Sequence, residues 1–307
     1  MPKENDYQIR RTLLKEKQPF KLEDVATELK VGVEVVQSVV EKLASQGYTF
    51  RNTGEYYIHS KNALLGSIYD ASKRFNGRYL KFGIVSDTHL GSNMERLDLL
   101  EQVYDIFKKE GAKTVFHASD FTDGYGVYRG QEFEVHKVGQ EEQIDYAIKV
   151  YPQRPLVRTF TIAGNHDLRQ YERGGSDPLV QVARARKDIE YLGQLDARVK
   201  LADNVAMEIL HPSGSIAYAL SYKAQRDINN RPASDLPNIL VYGHWHTSFY
   251  MQYRDVQFLQ APCLKETGLW ERSKGLHTTL GCWLVEAVLT DDLSSLAKFK
   301  PELFRFQ

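Results

Sequence analysis

The feature that most constrains this chain is an apolar run that stops in a histidine pair. Asn238-Ile239-Leu240-Val241, bounded by Pro237 and Gly243, reads as a buried strand, and Gly243-His244-Trp245-His246 follows it. Residues two apart in an extended segment point the same way. Both imidazoles can therefore face one point just past the strand end, and neutral imidazole is the commonest protein ligand for a metal. A lone His-x-His is more often a polar turn, but four other strand ends repeat the arrangement.

From Arg78 onward, strands alternate with helices. Tyr79–Val85 leads to Ser86-Asp87-Thr88-His89, and Thr114-Val115-Phe116 leads to His117-Ala118-Ser119-Asp120-Phe121-Thr122-Asp123. Thr159–Ala163 leads to Gly164-Asn165-His166-Asp167, and Ala206–Leu210 leads to His211-Pro212-Ser213-Gly214. Asp177-Pro178 reads as the N-cap and first position of a further helix. Runs around 249–253, 256–259 and 279–287 read as further strands. Ligands of α/β proteins bind beyond the carboxyl ends of strands. Eight of the nine histidines lie in this part of the chain. His117 reads as a packed strand residue, and His59, His136 and His277 as surface or structural.

Composition excludes several classes. The formal net charge is zero, so no global basic field points to nucleic acid, although a local basic groove stays open. Cys263 and Cys282 have no metal-type spacing and read as reduced thiols of a cytoplasmic protein. No apolar run reaches membrane-spanning length, and the polar start is no signal peptide, so no membrane partner is expected. A homo-oligomer is compatible with all of this.

Residues 1–60 read as a separate unit. Helical spacing runs over 6–17, then through Leu22, Val25, Ala26 and Leu29, then from Val35 to Ala44. Two strand-like runs joined at Asn52-Thr53-Gly54 follow. Three helices and a hairpin resemble a winged helix-turn-helix domain, whose third helix often enters a DNA major groove. Here that helix exposes Glu34, Gln37, Ser38, Glu41 and Lys42, not a phosphate-seeking set. DNA contact, protein docking and a structural role all stay open. Residues 61–78 read as a connection, with a helix from Asn62 to Phe75, and 79–307 as the catalytic domain.

The five strand-end segments, in this order, resemble the calcineurin-like metallophosphoesterase superfamily. Its pattern is Asp-x-His, Gly-Asp-x-x-Asp or -His, Gly-Asn-His-Asp or -Glu, a His, and Gly-His-x-His. The resemblance implies a four-layer αββα sandwich and a site for two divalent metal ions. Asp87, His89, Asp120 and His246 would hold one ion; Asp120, Asn165, His211 and His244 would hold the other, with Asp120 bridging. All are oxygen or imidazole donors, which argues against structural zinc. Mn²⁺ is the first choice, and Fe²⁺, Ni²⁺ or Zn²⁺ would fit. The resemblance further implies that water activated by the ion pair attacks phosphorus in line. His166 would then protonate the leaving oxygen, with Asp123 hydrogen-bonded to it. Arg169 and Arg173 could meet substrate phosphates.

The substrate is less legible. Ser119 stands where the family usually has Gly, a change that ordinary backbone angles would tolerate. The Arg of protein Ser/Thr phosphatases is absent after Asp123-Gly124, and the repair-nuclease branch usually has His where Asp123 stands. The loop 174–178 and Tyr191-Leu192-Gly193 loosely resemble that nuclease branch, and an appended helix-turn-helix suits a polymer substrate. The expectation is a phosphodiesterase acting on DNA as an exonuclease or endonuclease. The alternatives are a small-molecule or nucleotide phosphoesterase with residues 1–60 as a docking module, and a binding protein whose winged helix is the working part. The complete ligand set argues against the last.

Overall fold

The computed structural model describes residues 8–9, 12–13, 21–45, 49–52, 56–59, 68–169, 171 and 175–307. The chain divides into two compact units, Met1–Gly66 and Ser67–Gln307.

In the first unit, helices Leu22–Leu29 and Val33–Ser45 are followed by β1 (Thr49–Asn52) and β2 (Tyr56–His59), paired antiparallel. Lys30, left-handed at φ 54°, ends the first of these helices; its N–H and that of Val31 return to the carbonyls of Thr27 and Ala26. Ile9 and Leu13 pack with Leu22, Val25, Ala26, Val36, Val39 and Val40 in a core of the unit's own.

The second unit is built on β3 (Tyr69–Asp70), β4 (Tyr79–Val85), β5 (Thr114–His117), β6 (Arg158–Ala163), β7 (Ile189–Gln194), β8 (Asp196–Ala202), β9 (Val205–Leu210), β10 (Ile239–Tyr242), β11 (Phe249–Tyr253), β12 (Val256–Gln260), β13 (Gly281–Leu289) and β14 (Leu296–Arg305). One sheet has the order β14-β13-β4-β5-β6-β7 and the other β11-β12-β10-β9-β8-β3. Alternation sorts the faces. In β4, Leu80, Phe82 and Ile84 face the other sheet's Val199, Met207, Ile209 and Val241. Val85 on the opposite face packs with Leu100, Val103 and Phe107 of helix Leu97–Lys109. Gly83 lies on that outer face because a Cβ there would sit 2.4 Å from the Phe107 ring. Helix Tyr222–Asn230 places Ala224 and Ile228 against Leu240, Tyr242 and Phe258 of the second sheet. The layers are helix, sheet, sheet and helix. Asp177 caps helix Pro178–Ala185 by accepting from Leu179 N at 3.0 Å. No helix among the described residues is long and apolar enough to cross a membrane.

The helix expected from Asn62 to Phe75 is not what the described part of that segment forms. Tyr69–Asp70 instead pairs parallel with β8, and Ser72–Arg74 makes one 3-10 turn. The edge of β8 offers backbone partners, extended by Ala71 N to the carbonyl of Lys200 at 2.9 Å. Asp70 then accepts from Ser72 N at 2.9 Å, the side-chain turn that competes with a helix. Residues 68–78 fold with the second unit.

Candidate metal centre

β4, β5 and β6 run parallel, and so do β9 and β10. The loops leaving their carboxyl ends meet in one place. His246 Nε2 lies 3.3 Å from Asp87 Oδ1 and 3.1 Å from His89 Nε2. His89 Nε2 is 3.9 Å from Asp87 Oδ1 and from Asp120 Oδ2. On the other side of Asp120, His211 Nε2 is 3.4 Å from Asp120 Oδ2 and 2.6 Å from Asn165 Oδ1. The rings of His211 and His244 have centroids 4.6 Å apart. Donor atoms of Asp87, His89 and His246 lie within 4.8 Å of one another, and so do those of Asp120, His211 and His244. All seven residues read from the sequence as ligands are thus brought together, with Asp120 in contact with both groups.

Backbone strain is concentrated here. Asp87, His89, Asp120, His244 and His246 have φ of 50°, 45°, 44°, 75° and 52°, the left-handed region that non-glycine residues seldom adopt. Such strain persists only where surrounding bonds over-determine it. Those bonds are present. Asp87 N donates to Ser119 O at 2.9 Å, His89 N to Asp120 O at 3.0 Å, and His166 N to Asp120 Oδ1 at 3.0 Å. Asp167 accepts from Thr122 N at 2.8 Å, Gly164 N at 2.9 Å and Phe121 N at 3.1 Å, tying the third loop to the second. A Cβ on Gly164 would fall 2.0 Å from Asp120 Oδ1, so only glycine lets that carboxylate sit where it does.

A second ring of bonds sets the tautomers. His89 Nδ1 donates to Asp123 Oδ1 at 2.9 Å, which turns its Nε2 lone pair toward Asp87, Asp120 and His246. His211 Nδ1 is paired with Ser119 Oγ, and its Nε2 faces Asp120 and Asn165. His244 Nε2 donates to Gly214 O at 3.2 Å, leaving its Nδ1 with the lone pair.

Two expectations need correcting. Asp123 does not pair its carboxylate with His166: Oδ1 is 3.8 Å from His166 Nδ1 but 2.9 Å from His89 Nδ1. His166 Nδ1 donates instead to the backbone carbonyl of Asp123 at 2.6 Å. Buried Gln131 donates at 2.8 Å to both that carbonyl and Asp123 Oδ2, turning the carboxylate toward His89. Ser119 does not have ordinary backbone angles either, since its φ is 90°. The glycine usual at that place would carry no such cost. What Ser119 supplies in exchange is the hydroxyl on His211.

The electrostatics call for a cation. Burial, reinforced by the charges of Asp87 and Asp167, holds the Asp120 carboxyl well above the usual carboxylate range. Burial raises Asp123 to about 7. Asp87 is also penalised by burial, yet His246 beside it brings it down to about 2. Burial takes His89 and His211 well below 6.5, so both imidazoles are neutral. Buried acids crowded against neutral imidazole lone pairs are costly without a positive centre, and a divalent ion among them removes the conflict. The residues present fit divalent metals.

Arg169 is half-buried and donates from Nε to Gly126 O at 2.8 Å; Arg173 lies outside the described residues. His117 is a buried strand residue bonded to Thr88 Oγ1 at 3.1 Å. Cys263 and Cys282 are buried free thiols. The sequence gives no signal for the buried Lys265–Glu271 ion pair, whose Glu271 Oε1 lies 4.0 Å from His246 Nδ1. Lys265 follows the last motif by nearly twenty residues in a loop without periodicity, and only the fold brings it here.

Ser119 permits a clean comparison of variants. Ser119→Ala loses the bond to His211 and keeps the strain; Ser119→Gly loses the bond and the strain together. Both should bind metal about 10–100-fold more weakly by calorimetric titration. The glycine variant should be more stable than the alanine variant by about 1 kcal/mol in urea unfolding. Unchanged metal affinity in both would remove Ser119 from the site.

Residues 80–268, well over half the chain, match the family model of the calcineurin-like phosphoesterase superfamily domain. No curated protein matches. Among solved structures, the chain is similar to a novel archaeal phosphodiesterase at 17% identity, over 73% of this chain and 100% of that one, with a TM-score of 0.41. It is also similar to the zinc complex of Vps29 from Entamoeba histolytica at 13% identity, over 74% of this chain and 100% of that one, with a TM-score of 0.33. With the family match covering every strand end that carries a donor, the chain belongs to the calcineurin-like phosphoesterase superfamily, whose members use divalent metals.

Proposed function

We propose that this protein is a phosphodiesterase with a two-metal centre that hydrolyses DNA as an exonuclease or endonuclease. The observation that carries the reading is the pair of donor groups meeting at one shared carboxylate, Asp120. Asp87, His89, Asp120 and His246 would hold one ion, and Asp120, Asn165, His211 and His244 the other. Mn²⁺ is the first choice, with Fe²⁺, Ni²⁺ and Zn²⁺ compatible with the same donors. Two such ions, when bound, lower the pKa of a water toward ~7 and offset the charge that builds on the phosphoryl oxygens.

The chain's own residues supply the rest. His166 Nδ1 donates to the carbonyl of Asp123, so Nε2 is the nitrogen left to face the leaving oxygen. Burial lowers the imidazole to about 3, so Nε2 must take up a proton as the anionic substrate binds before it can pass one to the leaving oxygen. Its ring stands edge-on to that of His89, with centroids 4.5 Å apart, which places the proton donor beside the ligand cluster. Asp123 acts through His89, holding the ligand nitrogen toward the ions. Burial raises the Asp123 carboxyl to about 7 against the pull of the Lys265 ammonium, and burial, with Lys265 adding to it, lowers His166 to about 3. Arg169 and Arg173 would meet flanking phosphates.

The DNA part of the reading is supported by the first unit, whose helices and hairpin follow the order of a winged helix-turn-helix domain. Its separate core makes dissection practical. Mn²⁺-dependent hydrolysis of single-stranded DNA, duplex DNA and bis-p-nitrophenyl phosphate should be compared with and without residues 1–66. Full-length protein is expected to cut DNA, and truncation to impair that several-fold while sparing the small ester. Cleavage of the small ester alone, unaffected by truncation, would favour a nucleotide-scale substrate with the first unit as a docking module.

A further inference from the structure

The three tryptophans are not equivalent. Trp245 and Trp283 are 8% and 6% exposed, whereas Trp270 is 41% exposed on the short helix Leu269–Ser273. Tyr128, half-buried in the loop after Asp123, packs against it with ring centroids 5.7 Å apart and planes tilted by 35°. The same Tyr128 ring lies 6.3 Å from the ring of His166. Moving outward from the proton donor, the chain thus presents Tyr128 and then Trp270.

This pair is held in place. Tyr128 donates from its hydroxyl to Glu134 Oε2 at 3.1 Å. Arg169 fastens the same loop at the carbonyl of Gly126. Glu271, next to Trp270, is buried, pairs with buried Lys265 and accepts from Gly268 N at 3.1 Å. Its contact with His246 ties the Trp270 helix to the ligand cluster. A large aromatic surface left open to water on a pinned support, one ring away from the reacting centre, is suited to a flat, largely uncharged ligand. In a phosphodiester substrate the group of that shape attached beside the phosphate is a nucleobase.

We propose that Tyr128 and Trp270 form a stacking wall for an unpaired nucleobase next to the scissile phosphate. The inference rests on the phosphodiesterase reading and narrows its substrate to nucleotides and single-stranded or frayed nucleic acid. Every base has a π-face, so such a wall tolerates sequence. A base inside a duplex is already stacked and must leave its neighbours to reach it.

The test uses the full-length protein and two cleavage-resistant phosphorothioate oligonucleotides of equal length, one oligodeoxyadenylate and one abasic. Oligodeoxyadenylate should quench the Trp270 emission and bind on the order of tenfold more tightly than the abasic strand. Trp270→Ala should lose both the quench and the preference. Trp270→Phe should keep the preference without the signal, which separates stacking from a folding defect. Tyr128→Leu should weaken the preference in the same direction. Equal binding of both strands by the wild type, no binding of either, or an unchanged preference in Trp270→Ala would overturn the stacking wall. Hydrolysis of bis-p-nitrophenyl phosphate by the wild type reports separately on the underlying reading. A base-dependent quench without that hydrolysis would keep the wall and sink the phosphodiesterase.

Discussion

Asp120→Asn should abolish turnover, with a loss exceeding the roughly 100-fold that changes in outer-sphere partners produce. The Asp120 carboxylate lies between both donor groups, 3.9 Å from His89 Nε2 and 3.4 Å from His211 Nε2. It is almost wholly buried, so its negative charge is costly unless cations are bound on either side. The asparagine keeps the shape and removes that charge. Bound metal should therefore fall together with activity, from two ions per chain toward one or none by elemental analysis after gel filtration. The fold should survive, because Asn can still accept from His166 N. Full activity, or two tightly bound ions in the variant, would refute the shared-carboxylate arrangement.

Replacing His166 by Ala should slow the cleavage of alkyl phosphodiesters by about 10²–10⁴-fold, the usual range for a general acid. A p-nitrophenolate leaves without needing a proton, so the same variant should hydrolyse bis-p-nitrophenyl phosphate at close to the wild-type rate. The ring contacts His89 and donates to the carbonyl of Asp123, but the ligand cluster has its own supports in Asp123 Oδ1 and Ser119. Metal content should accordingly hold. Equal slowing of both esters would remove the acid role. An Asp123→Asn variant separates the two histidines further: its altered carboxylate faces His89, so it should weaken metal binding first and leave the leaving-group dependence intact.

Much of the site could be read along the chain because the fold delivers ligands by a local rule. A buried strand needs an apolar run, and a parallel layer places every carboxyl end at one edge. Asp87, His89, Asp120, Asn165, His211, His244 and His246 each follow such a run by a few residues; periodicity marked the strand ends, and the resemblance to the calcineurin-like family picked out the candidate ligands on them. The Asp177 cap was legible from its Asp-Pro pair, and the two-sheet sandwich from the family resemblance. The segment 62–75 was misread because helical spacing is a local preference, whereas the open edge of β8 is a partner seen only in three dimensions.

What the sequence by itself determined is which residues are candidates for the chemistry and at which strand ends they stand. What only the tertiary structure decided is how those residues are aimed. The Asp123 carboxylate serves His89, while its carbonyl holds His166, because Gln131 and the loop backbone orient the residue. Ser119 accepts a left-handed φ because its hydroxyl meets His211, a partner ninety-two positions away. Lys265, Glu271, Tyr128 and Trp270 reach the site through packing between distant loops. Hydrogen-bond direction and side-chain approach depend on long-range closure of the chain, and no short-range pattern encodes them.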